Sequence, residues 1–84
     1  MPEISRFYGM VIKMFFIQSE HNPPHFHAIY GEYLGEINIH TGQMMVGDLP
    51  AKALAMIQEW LQLHRAELLD IWNTQTFRKL PPLV

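Results

Sequence analysis

The hydrophobic period of this chain changes once, near Asp48–Pro50. That single change limits the fold to a sheet followed by a helix. Before it, short apolar stretches are separated by glycine, proline and polar clusters, as strands are. "RFYGMVIKMFFI", residues 6–17, is apolar on both parities, with Lys13 the only charge after Arg6. It is too short and too rich in aromatic and β-branched residues for a comfortable helix. It reads as the first or central strand, buried on both faces. "QSEHNPP", 18–24, is a polar loop closed by a proline pair that holds the chain extended. "HFHAIY" (25–30), "EINIH" (36–40) and "QMMVG" (43–47) follow as strands. "GEYLG" (31–35) and "TG" (41–42) are the tight connections between them.

After the change the period is helical. Asp48 suits an N-cap, and Pro50 suits the first turn, where its missing N–H is harmless. Leu54, Ile57, Leu61, His64, Leu68 and Ile71 or Trp72 then recur at spacings of three and four, one stripe of an amphipathic helix. The pattern fits one helix over 49–76 or two with a bend near His64. Pro81 and Pro82 end the fold, and "RKLPPLV" reads as a tail that frays or docks on another subunit. The expected class is α+β: a four-stranded antiparallel β-meander with one long or two short C-terminal helices on one face, as a single domain over 1–84.

A domain of 84 residues buries only about 60–65% of its unfolded surface. With 49% hydrophobic and 17% charged residues, it has apolar surface to spare for a homo-oligomer or a small protein partner. The net charge is −2. The basic residues Arg6, Lys13, Lys52, Arg65, Arg78 and Lys79 are scattered, which disfavours nucleic-acid binding without a partner. Cysteine is absent, so disulfides, thiolate metal sites and thiol catalysis are excluded. No apolar run reaches membrane length and the N-terminal residues do not read as a signal peptide. The expected compartment is the cytoplasm.

Three histidines, His21, His25 and His27, straddle Pro23–Pro24. Strand alternation puts Phe26, Ala28 and Tyr30 on one face and His25, His27 and Ile29 on the other. On the next strand it sets Ile37 and Ile39 against Glu36, Asn38 and His40. If the apolar sets face the helix, the polar sets share the opposite surface, with His21 reaching its edge. His-x-His on a strand projects two imidazoles to one side, about 7 Å apart. That suits two ligands of zinc or another divalent transition metal, with His21, His40 or Glu36 as the third. Without metal, His25, His27 and Glu36 are candidates for acid–base catalysis, as in a nuclease. The plainer alternative is that these histidines bond loop carbonyls and pin the turn.

Other features have structural explanations at hand. Met10, Met14, Met44, Met45 and Met56 suit an adaptable core or interface. Trp60, His64 and Trp72 are candidates for partner binding, and equally for the core.

"MPEISRFYG", "HNPPHFHA" and "EWLQLHRAELLDIW" together resemble the bacterial family known as domain of unknown function 4160. The likeness runs over nearly the whole chain. Its most specific part is Pro23, Pro24, His25, Phe26 and His27. The resemblance implies a small cytoplasmic prokaryotic protein without an established activity, often one half of a two-gene pair. The neighbour in such a pair is thought to resemble a regulatory antitoxin. It also implies that Pro23, Pro24, His25, His27, His64 and Trp72 are characteristic positions. Two functions follow as expectations. One is a protein-binding component of a toxin–antitoxin-like module. The other is a metal-assisted or histidine-based nuclease toxin working from the histidine face.

Overall fold

The computed structural model describes residues 3–15 and 23–83. Five strands run in sequence order as one antiparallel sheet: β1 (Glu3–Phe7), β2 (Met10–Lys13), β3 (His25–Tyr30), β4 (Tyr33–Asn38) and β5 (Met44–Gly47). One helix, α1 (Ala51–Thr74), follows. The antiparallel α+β class is as expected, but the sheet has five strands rather than four.

The additional strand comes from the stretch over 6–17, which is not one strand. Tyr8 and Gly9 both take positive φ, 50° and 80°. They turn the chain so that Phe7 faces Met10 across a two-residue hairpin. Both arms send apolar side chains into the core, Ile4 and Phe7 from β1, Met10 and Ile12 from β2. Read in line, two half-buried strands resemble one fully buried strand. Residues 16–17, the end of that stretch, lie outside the described residues.

The connection after β3 is also shorter than 31–35. Gly31 and Glu32 make the turn, and Tyr33, Leu34 and Gly35 already belong to β4. β4 then ends two residues earlier than expected. The Asn38 side-chain carbonyl accepts the N–H groups of His40 (2.8 Å) and Thr41 (3.2 Å), which converts the strand into a turn. Gln58 donates to the Gly42 carbonyl and Arg65 to that of Ile39, fixing this turn to the helix.

Asp48 does not cap α1. Pro50 occupies the cap position with no side-chain hydrogen bond. Asp48 instead accepts the Leu34 N–H through Oδ1 (3.2 Å) and donates its own N–H to the Leu34 carbonyl (2.9 Å), joining β5 to β4. The helix is a single element bent at His64, whose φ and ψ are −125° and 16°. It ends at Gln75, in the left-handed region, whose N–H returns to the Ile71 carbonyl.

The buried helix stripe is Ala53, Ile57, Trp60, Leu61, Leu68, Ile71 and Trp72. It covers the sheet face that carries Phe26, Ala28 and Ile37. Trp60 is the largest of the fully buried side chains. Its ring lies 5.6 Å from Phe7 and 5.8 Å from Phe26 between centroids, and its indole N–H donates to the Pro81 carbonyl at 2.8 Å. The C-terminal tail therefore docks on its own chain. Leu80 is buried and donates its N–H to the Ile4 carbonyl of β1 at 2.7 Å. Among the described residues no helix is long and apolar enough to cross a membrane.

Candidate metal centre

The outer sheet face is opposite the core and carries the polar half of each alternation. On β3, Phe26 and Ala28 are fully buried, while His25 and His27 between them are half-buried. Cross-strand register sets His27 opposite Glu36 and His25 opposite Asn38. Directly opposed residues have Cβ atoms about 5 Å apart, so their side chains meet. One ligating atom from each of His25, His27 and Glu36 lies within 4.8 Å of the other two.

The His25 ring is fixed at both nitrogens. Nδ1 lies 2.9 Å from the Pro23 carbonyl oxygen. A carbonyl only accepts, so Nδ1 carries the hydrogen and donates it. In the neutral ring Nε2 then presents a lone pair. Nε2 lies 3.5 Å from Oε1 of Glu36, an atom that also only accepts. A lone pair facing a carboxylate at this distance suits a bridging group between them, a metal ion or a water molecule. Turn pinning and ligation, alternatives for these histidines in the sequence, are open to the same ring through different nitrogens. A metal-bound histidine is oriented in this way, its second nitrogen donating to a carbonyl.

Aromatic walls enclose the pair. Phe15 packs edge-on against His27, with centroids 4.2 Å apart. Trp72 lies 5.1 Å from His25, and the two imidazoles are 5.3 Å apart. Burial is the main influence on His27 and pushes its pKa below the ordinary value. Glu36 acts in the opposite direction, and His25 adds slightly to the lowering. A neutral imidazole at neutral pH is the form that binds metal.

A four-coordinate zinc with ligands at 2.0–2.1 Å has neighbouring ligands about 3.3 Å apart. The His25–Glu36 separation of 3.5 Å already matches that edge. Two histidines and one carboxylate suit zinc, and the same donors serve non-haem Fe(II). Three protein ligands leave a position for water or a substrate oxygen.

The remaining candidates lie elsewhere. His40 is exposed in the turn after β4 and stands apart from the cluster. The reason is the Asn38 turn, which ends the strand before His40 although Ile39 is still buried. His21 lies outside the described residues. Trp60 is in the core. His64 marks the helix bend, its Nδ1 2.7 Å from Oε1 of Glu67 and its ring 5.3 Å from Trp60. Trp72 walls the histidine pair. Sequence reasoning named Trp72 without linking it to His25, and passed over Phe15. Both contacts are long-range, and no local pattern encodes them.

The model of the family described as domain of unknown function (DUF4160) matches residues 9–73. The chain belongs to that family. The opening "MPEISRFY" precedes the matched residues. Neither a curated protein nor a solved structure matches the chain.

Proposed function

We propose that this DUF4160 protein is a metal-binding protein in which His25, His27 and Glu36 hold one zinc-like divalent cation for metal-assisted hydrolysis. The observation that carries this reading is the lone pair of His25 facing the Glu36 carboxylate at 3.5 Å, with His27 as third donor. A proton would serve His25 and Glu36 alone, whereas a metal uses all three. A bound zinc ion lowers the pKa of its water to about 7 and so supplies hydroxide near neutral pH. The Pro23 carbonyl orients His25, and Phe15 and Trp72 shield the two rings from solvent. In its nuclease form this chemistry requires a chain of net charge −2 to hold a polyanion, so a small substrate fits better.

Elemental analysis of untagged protein tests the reading. About one transition-metal ion per chain in the wild type, absent from a His25→Ala/His27→Ala variant, is the expected result. Protein that stays metal-free and binds no added zinc overturns it.

A difference between the two sheet edges favours a second reading, a protein-binding component of a cytoplasmic, toxin–antitoxin-like pair. The β1 edge is closed by the tail at Leu80. On β5, Met45 and Val46 are exposed and no charged residue guards the strand. Light scattering and co-purification with the product of the neighbouring gene test it. A complex lost in Met45→Lys supports it, and a strict monomer that ignores its neighbour refutes it.

A further inference from the structure

A cleft of about 100 Å³ opens on the outer face between β4 and β5, lined by His27, Leu34, Gly35, Glu36, Val46 and Gly47. Two of its walls, His27 and Glu36, are also two of the three metal donors, so the cleft begins where the proposed ion sits. The remaining walls are apolar side chains and glycine backbone. The side chains belong to Leu34 and Val46, 54% and 60% exposed, which is costly for two aliphatic residues on a small domain. The volume equals about three water molecules. On the other side of His27, register places Lys13 of β2 directly opposite. The outer face thus presents, in order across the sheet, Lys13 between Glu3 and His27, the donor set and a small apolar recess.

We propose that this face binds a small carboxylate carrying a short alkyl chain of about two or three carbons. The carboxylate oxygen occupies the open metal position, Lys13 supplies further positive charge, and the chain fills the recess between Leu34 and Val46. A short-chain carboxylate is also what hydrolysis of a short acyl ester releases. The proposal rests on the metal reading above, and adds to it the chemical class of ligand.

Calorimetric titration of zinc-loaded protein with acetate, propionate, butyrate and hexanoate tests it. Each added methylene is expected to tighten binding about threefold to fourfold while the recess has room. Hexanoate is expected to gain nothing over butyrate. Val46→Phe, at an exposed position that tolerates bulk, is expected to abolish the chain-length preference. Lys13→Gln is expected to weaken all four carboxylates alike. If the wild type binds no zinc, the metal reading fails and this inference with it. If zinc binds but the four carboxylates bind equally or not at all, the ligand class is wrong and the metal reading stands. If Val46→Phe keeps the chain-length preference, the recess is not the alkyl site.

Discussion

The two faces of β3 and β4 share one backbone and have opposite chemistry. Inward, Phe26, Ala28 and Ile37 are closed off by Trp60 and the helix. Outward, His25, His27 and Glu36 alternate with them residue by residue and remain half-exposed. The inner face needs only volume and exclusion of water. On the outer face polar atoms meet water or one another, and His25 and Glu36 present a lone pair and a carboxylate that a shared metal ion would join. Stability is therefore concentrated on one side of the strands, and ligand-dependent chemistry on the other.

The largest effect should come from breaking the inner face. Trp60→Ala removes the side chain between Phe7 and Phe26 and the anchor of the tail at Pro81. A loss of about 3–5 kcal/mol is expected in urea unfolding, enough to unfold much of the protein. Next is Gly47, which has no side chain on either face and holds β5 close to β4. Its φ is 123°, and a Cβ there would collide with the Leu34 carbonyl oxygen. Gly47→Ala should destabilise by about 2 kcal/mol or more, read as a lower urea midpoint with an unchanged slope.

On the outer face the effects should depend on metal. Without metal, His25→Ala/His27→Ala should lose roughly 1 kcal/mol. With zinc at a hundred times its dissociation constant, the wild type should gain about 2.7 kcal/mol and the variant nothing. Thermal melts with and without zinc check this, and an equal gain in both proteins would remove the distinction between the faces. The smallest effect is that of pH on the metal-free protein. His27 has a folded pKa below its ordinary value, so the unfolded chain takes up its proton first as pH falls. Its contribution is fully present above the ordinary histidine value near 6.5. It should decline as pH falls from there to the lowered folded value, and then level off. His27→Gln should flatten that part of the profile.

The division between faces was legible in the sequence because strand alternation is local geometry. Phe26 and Ala28 against His25 and His27, and Ile37 against Glu36, follow from counting in twos. This is why the three residues that come together could be named in advance. Features set by distant partners were not legible. The Gly9 hairpin was masked because the strands on both sides feed one core. Asp48 resembled a helix cap, but Leu34, distant in sequence, holds it in the sheet. His40 continues the alternation of burial, but the Asn38 side chain turns the chain out of the strand before it. The Phe15 and Trp72 walls exist only once the helix and the residues just after β2 are brought against β3.

The contact between Trp72 and His25, with ring centroids 5.1 Å apart, gives the molecule an optical probe of its own. Indole emission responds to the charge and electronic state of an adjacent imidazole. Trp60 has an imidazole neighbour of its own, His64 at 5.3 Å, so a Trp60→Phe background isolates the Trp72 signal. A change at His25, whether a proton gained or an ion captured, should register in the fluorescence of Trp72 without any attached dye.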